Sequence, residues 1–356
     1  MNILYCIGDN AAEWNSATWR MEIPARAINR TGAHQARLVN LYTWAGGKEP
    51  HVVKDADWAD VIVIQRNAFG IVMPAILRWK AQGKRVFLDL DDGYQVMPKA
   101  VPAYAFWHDR QAVDDSGKTF TLPFSPVEHL GYAAKLVDGI TTPSEVIVND
   151  WRRFGKAYFV PNYPETAAYT EAKRLEDHDG IWLGWGGGGS HLDSFTETGV
   201  LAALARIVAN RENVTICIIG HQAIYDRVPV SPERKRFIPW GAYSQWPAKL
   251  KQLDIGITPL AGAYDKRRSW IKGLEFSLAG IPWVGTDYGG EPQPYDKFGK
   301  SHLVRNTPKC WEYALLDIVD CYFDYWEKAQ AVKVWAKQFD IDKRIGEVLR
   351  VYEGKG

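Results

Sequence analysis

With 356 residues, 46% of them hydrophobic, the chain is long enough for two domains with cores of their own, and its 43 Lys and Arg against 42 Asp and Glu leave a net charge of only +1. That balance excludes a general electrostatic attraction to nucleic acid or anionic membranes and leaves room only for local basic patches. Cys6, Cys217, Cys310 and Cys321 lack C-x-x-C spacing and read as reduced core residues, and no apolar run approaches the length of a membrane span.

In chain order, Asn2 to Ile7 has the pattern of a buried strand and is broken by Gly8-Asp9-Asn10. A chain that starts on a strand shows no signal peptide, so a soluble, cytoplasmic protein without membrane insertion is expected. A helix follows from near Ala17 to the Gly32 stop, with Arg20 in its first turns and Pro24 constraining it. Arg20 either pairs on the surface with a neighbour such as Glu13 or faces the crevice that the loop after a first strand borders in nucleotide-binding folds. His34 to Leu41 and Val61 to Gln65 supply two more strands, the second ending at Arg66. The helix in MPAILRWKAQGK stops at Gly83 and feeds the strand Arg85 to Leu90, whose carboxyl end presents Asp91 and Asp92, with Asp89 expected to be buried or to cap a turn. The D-x-D-D run alone fits a divalent-cation site or a loop-capping carboxylate cluster.

Pro98 to Pro126 is irregular and rich in Pro and aromatic residues, among them Tyr104, Phe106, Trp107, His108, Phe120 and Phe124. A long loop of this kind is expected to be functional, here an acceptor-binding flap, with Trp107 and His108 as cleft residues; a His beside Trp is also a common hydrogen-bonded structural residue. A helix from Val127 to Val137, a strand at Gly139 to Thr142 and the segment Val160 to Pro164 close a first domain over residues 1–165. Strand and helix alternate throughout it, the sign of a doubly wound parallel sheet. Residues 166–179, containing EAKRLEDHDG, read as a linker.

A second domain, residues 180–330, opens with the strand Gly180 to Trp185 and the run Gly186-Gly187-Gly188-Gly189-Ser190-His191. Glycines between strand and helix let a ligand approach the backbone and leave helix amides pointing at it, and a diphosphate is the natural occupant; the run alone also fits a flexible turn. Val214 to Gly220 and Arg236 to Trp240 are further strands. Next comes LDIGITPLAGAYDKRRSWIKGLEFSLAGIPWVGTDY, residues 253–288, which reads as strand, charged loop, helix capped by Ser269, and strand resuming at Trp283 after Gly280 and Pro282. Arg268, Lys272 and Glu275 stand at spacings of four and three, which stacks them on one helical face: cations for a diphosphate and a carboxylate for a ribose diol, or a solvated ion-paired face. Two amphipathic helices, Cys310 to Tyr325 and Lys328 to Tyr352, end the chain.

The succession D-x-G-I-x-P-L, R-S-x-x-K-x-x-E and A-x-G-x-P-x-V resembles the donor-site signature of GT-B glycosyltransferases, in particular the large retaining family four, and ITTPS and VPNYP resemble the end of that family's first domain. The resemblance implies a GT-B fold, two Rossmann-like doubly wound domains facing each other across a cleft, with the last helix, residues 331–356, crossing back to the first domain. It implies transfer of a sugar from a nucleotide-sugar donor, a UDP- or GDP-sugar, to an acceptor hydroxyl with retention, no cofactor and no bound metal, which removes the metal reading of D-x-D-D. It assigns the ribose to Glu275, the diphosphate to Arg268 and Lys272, and donor contacts to the Gly186, Gly187, Gly188 and Ser190 loop, His191 and Tyr295, with Trp240 either stacking on the nucleotide base or packing. It places Asp91 and Asp92 at the transferred sugar or acceptor hydroxyl, and Arg20, with Arg66, toward the cleft. Many members carry a second Glu eight positions before the ribose-binding one, where this chain has Arg267, so the resemblance does not name the sugar. The acceptor is expected to be a glycan or, as in bacteriophage members, a modified base in DNA, although Arg78, Lys80, Lys84 and Arg85 make only a modest basic patch. A nucleotide-sugar epimerase of GT-B fold and a non-catalytic sugar-nucleotide binder are the alternatives.

Overall fold

The computed structural model describes residues 1–9, 14–113, 116–299 and 303–355; Asn10 and Glu13, named above, lie outside them. The chain forms two compact units, one of residues 1–164, 267–269 and 341–356, the other of residues 165–266 and 270–340.

The first unit holds β1 (Asn2–Ile7), β2 (Gln35–Asn40), β3 (Val61–Gln65) and β4 (Arg85–Asp89), then an antiparallel hairpin of β5 (Gln111–Val113) and β6 (Thr119–Thr121), then β7 (Gly139–Thr142) and β8 (Ala157–Phe159). Six of these form one parallel sheet in the order β2-β1-β3-β4-β7-β8. The middles of its central strands, Ile3 to Cys6, Val61 to Ile64 and Val86 to Leu88, are continuous apolar runs, because both faces of the sheet are covered, and polar residues enter only at the strand ends, as Gln65 and Asp89 do. The chain winds from β1 to β2 on one side and to β3 on the other, so the order reverses between β1 and β3, and their carboxyl ends splay around a crevice. The closing helix Ile341–Tyr352 belongs to this unit and sets Tyr352 against Phe87, ring centroids 5.2 Å apart, with its hydroxyl 3.3 Å from that of Tyr5.

The second unit repeats the design with β9 (Ile181–Gly186), β10 (Val214–Gly220), β11 (Lys235–Pro239), β12 (Ile255–Thr258), β13 (Trp283–Thr286) and β14 (Leu303–Val304), parallel in the order β11-β10-β9-β12-β13-β14. Here the reversal lies between β9 and β12. Leu183, Ile216, Ile218 and Ile257 form the core with Leu204 and Ile207 of the helix Val200–Asn210 and with Trp311 and Leu315 of the helix Pro308–Asp320.

Several local expectations change. The first helix is a wide i→i+5 turn, Thr18–Glu22, followed by an α-helix, Ile23–Arg30, with Pro24 in its opening turn, where a missing N–H costs nothing. The Pro98 to Pro126 segment has structure of its own, the helix Tyr104–Trp107 and the β5–β6 hairpin. The supposed linker starts as a helix, Thr166–Thr170, whose Tyr169 is fully buried. The two closing helices are three, Pro308–Asp320, Tyr322–Ala336 and Ile341–Tyr352. Asp340 ends the middle segment because its carboxylate turns to accept from Thr166 N (2.9 Å) and Oγ1 (2.6 Å). Of the four cysteines only Cys6 and Cys217 are in the core; all four are free thiols. Among the described residues no helix is long and apolar enough to cross a membrane.

Candidate functional site

In the second unit the glycine run leaves β9 at the reversal point. Gly187 and Gly220 are glycines of necessity: a Cβ on Gly187 would lie 2.5 Å from Lys272 Nζ and from the Trp185 ring, and Gly220, at φ +100°, lies under Trp240. Gly188 is exposed with open space around it, and Ser190 sits in the tight turn Gly189–His191. Lys272 Nζ donates to the Gly186 carbonyl at 2.7 Å and lies 5.0 Å from the Trp185 ring centroid, which fixes its charge beside the loop. His191 is buried edge-on to Trp185, with Nδ1 3.4 Å from Ser194 Oγ; that hydroxyl donates to Asp265 Oδ2 at 2.5 Å, and the same oxygen accepts Ala261 N at 2.9 Å. The loops after β9 and β12 are thus tied together at the crevice.

Glu275 lies one turn after Lys272 in the helix Ile271–Ala279. Its Oε1 accepts from Tyr169 OH (2.7 Å) and Trp246 Nε1 (2.8 Å), while no hydrogen bond reaches Oε2 among the described residues. Burial raises the carboxyl pKa; the Lys272 charge and these two donors oppose the rise without cancelling it. Neither Tyr169 nor Trp246 was legible as a site residue: one sat in a presumed linker, the other in a short helix of no recognisable motif. Trp240 is half-buried and packs against Trp246, with centroids 5.2 Å apart. Tyr295, expected near the donor, is buried against Trp283 over the bare backbones of Gly273 and Gly285, a packing position.

Arg268 does not share the helical face of Lys272 and Glu275. The helix begins only at Ile271, with Trp270 rather than Ser269 at the cap position, because residues 267–269 pack within the first unit. Ser269 Oγ accepts there from Asn162 Nδ2 at 3.1 Å, and Arg267 donates twice to Asp150, at 2.6 and 3.0 Å. The Arg267 stem covers Gly93, where a Cβ could not fit.

In the first unit each aspartate of D-x-D-D answers a different arginine. Asp89 is buried and paired bidentately with the equally buried Arg20 (2.6 and 2.9 Å), whose Nη1 also reaches Val160 O and Asn162 Oδ1. Arg20 is therefore a strut under the strand ends, not a cleft residue; the wide turn that carries it aims it into the sheet. Burial keeps the Asp89 pKa raised despite Arg20. Asp91 pairs with Arg66 (3.4 Å) and accepts from Tyr94 OH. Burial pushes its pKa up, yet the Arg66 charge and the hydroxyls of Tyr94 and Ser16 outweigh burial and hold it below the ordinary value. Arg66, at φ +38°, also pairs with Asp9, and Gln65 bridges the crevice by accepting Gly8 N (2.9 Å) and donating to Asp9 (2.7 Å). Asp92 accepts from Arg268 Nη1 at 3.1 Å. Among the described residues no group of three or more His, Cys, Asp or Glu side chains is placed to hold a metal ion. Trp107 is buried on Tyr94, centroids 4.1 Å apart, and His108 Nε2 bonds the Tyr94 carbonyl at 2.8 Å; both shape the wall behind Asp91.

Two parallel six-stranded sheets of this winding make the chain a GT-B fold protein with two Rossmann-like domains. Solved structures it is similar to include α,α-trehalose-phosphate synthase (UDP-forming) from Burkholderia xenovorans, in complex with glucose-6-phosphate, at 11% identity and TM-score 0.59 over 99% of each chain. UDP-GlcNAc 2-epimerase from Neisseria meningitidis, bound to UDP-GlcNAc, is similar at 9% identity and TM-score 0.52 over 100% of each chain. TarM is similar at 10% identity and TM-score 0.56, over 82% of this chain and 54% of TarM. At such identities the likeness is one of fold. No family model matches the sequence, and no curated protein does.

Proposed function

We propose that the protein is a nucleotide-sugar-dependent glycosyltransferase that binds its donor, a UDP- or GDP-sugar, at the reversal point of the second sheet. The observation that carries this reading is the Lys272 ammonium held on Gly186 O beside an open glycine loop, one helical turn from a buried carboxylate with a free oxygen. The loop amides and Lys272 suit a diphosphate, and Glu275 Oε2 suits a ribose hydroxyl. In the reaction the sugar exchanges its bond to the diphosphate oxygen for one to the acceptor oxygen. Lys272 and the loop amides stabilise the charge that builds on the departing diphosphate. With retention the acceptor approaches on the face the diphosphate leaves, and the diphosphate takes the hydroxyl proton, Asp92 orienting that hydroxyl. With inversion Asp92 takes the proton itself. Asp91, its side chain 9% exposed and bonded to Arg66 and Tyr94, is the positioning partner of Asp92, which is paired with Arg268 and 18% exposed.

The test is nucleotide release from a panel of UDP-, GDP-, ADP- and CMP-sugars, with and without EDTA, since slow donor hydrolysis needs no acceptor. Release from one donor supports the reading and names its sugar, and EDTA reports whether a metal takes part. A change in the sugar's own configuration without release marks an epimerase, and a panel in which no nucleotide binds overturns the assignment.

A further inference from the structure

In the first unit five rings run in unbroken contact past the end of the sheet. Tyr42 meets Phe69 edge to face (centroids 6.5 Å apart), Phe69 meets Phe106 (5.4 Å), Phe106 meets Trp107 (5.2 Å), and Trp107 lies on Tyr94 (4.1 Å). Both ends of this arc enter the polar cluster at the β1/β3 reversal point. Tyr94 donates to Asp91, and Tyr42 OH accepts from Asn67 Nδ2 at 3.1 Å, Asn67 being the residue after Arg66. The packed rings Trp283 and Tyr295 of the second unit are buried. In the arc only Trp107 and Tyr94 are buried; Tyr42 is 39% exposed, and Phe69 and Phe106 are half-buried. A chain of rings held to polar groups at both ends and reaching solvent along Tyr42, Phe69 and Phe106, at the place where this topology gathers ligands, is a stacking platform.

We propose that Tyr42, Phe69 and Phe106 form the acceptor platform for a neutral saccharide, whose C–H faces lie on the rings while its hydroxyls reach the strand-end polar groups. The inference rests on the transferase reading and names the acceptor class for it. Charge separates a saccharide from DNA: Asp9 and Asp91 share the one guanidinium of Arg66, so this cluster keeps a net negative charge. The Arg66 charge holds Asp91 ionised at neutral pH against its burial. A phosphodiester chain approaching the platform meets repulsion, whereas DNA binding depends on cations that neutralise phosphates.

The experiment is calorimetric binding of maltohexaose, cellohexaose, chitohexaose and a duplex oligonucleotide carrying 5-hydroxymethylcytosine to the full chain, at low and high salt, alongside UDP and GDP. The expected result is that a neutral oligosaccharide binds with an affinity indifferent to salt. The double substitution Tyr42→Ala, Phe106→Ala then weakens it at least about tenfold while nucleotide affinity and donor hydrolysis stay at the parent level. Tyr42→Phe, which keeps the ring, retains binding. Should the double variant fail to fold, Tyr42→Leu with Phe69→Leu removes the rings with a smaller loss of volume than alanine and carries the same expectation. Salt-sensitive DNA binding without saccharide binding, no binding by any of the three oligosaccharides, or saccharide binding untouched by loss of the rings overturns the proposal. Any of these outcomes with nucleotide binding intact leaves the transferase reading standing, and absence of nucleotide binding in the parent unseats that reading instead.

Discussion

The two sheets reverse direction alike, yet the two reversal points present different groups. Between β9 and β12 the chain offers the glycine backbone of Gly186 to Gly189 and the Lys272 ammonium held on the Gly186 carbonyl. Between β1 and β3 it offers side chains that have answered one another: Gln65 takes the amides of Gly8 and Asp9, and Arg66 is divided between Asp9 and Asp91. Backbone donors suit a ligand that brings its own charge. Saturated carboxylates suit a ligand that is uncharged and must be oriented. Topology thus fixes where a ligand gathers, and the residues at the strand ends decide which kind.

The comparison breaks most readily at Arg20. Arg20→Ala leaves Asp89 buried without its partner and is expected to cost about 3–5 kcal/mol of stability, measured by urea denaturation; a loss below about 1 kcal/mol would show that the first strand ends do not depend on this pair. Next in size is Asp92→Ala, expected to lower sugar transfer about a hundredfold while nucleotide affinity stays at the parent value. An equal fall in both quantities would move Asp92 out of the acceptor's chemistry. Glu275→Ala sharpens the other side: loss of a charge-assisted hydrogen bond should weaken nucleotide binding by roughly 10–100-fold in calorimetry, and unchanged affinity would sink the ribose assignment.

The smallest expected effect concerns stability against pH. Burial raises the Glu275 pKa above its unfolded value, so folding favours the protonated carboxyl. That contribution is complete below the unfolded pKa of about 4.3 and is lost as pH rises through the folded one. Glu275→Gln, neutral at every pH and still able to accept from Tyr169 and Trp246, should raise Tm by about 2 °C at pH 8 and leave it unchanged near pH 4. An equal gain at both pH values would assign the effect to packing rather than to charge.

Much of the architecture was written locally. The bounds of β1, β3 and β10 coincide with the apolar runs Asn2 to Ile7, Val61 to Gln65 and Val214 to Gly220. The glycine loop follows β9, and Gly280 ends the helix of Glu275 in a left-handed conformation. Period, turn residues and caps act within a few positions of one another, and a sequence displays them directly. What spacing could not decide was partnership. Arg268 stood four residues before Lys272 but answers Asp92, 176 positions away; Arg20 answers Asp89 across 69; and Glu275 is held by Tyr169 across 106. A buried charge takes whichever counter-charge or donor the packed elements bring within about 3 Å, and that is a property of how strands and helices assemble rather than of any stretch of chain. The sequence by itself therefore determined most of the sheet strands, the winding they imply and the residue types at the second reversal point, but not the hairpin β5–β6, the helix Thr166–Thr170 or the break between the closing helices. Only the tertiary structure decided that Arg20 is a strut under Asp89, that Tyr295 packs on Trp283, that Asp91 answers Arg66 and Tyr94, and that Tyr169 and Trp246 both donate to the same oxygen of Glu275.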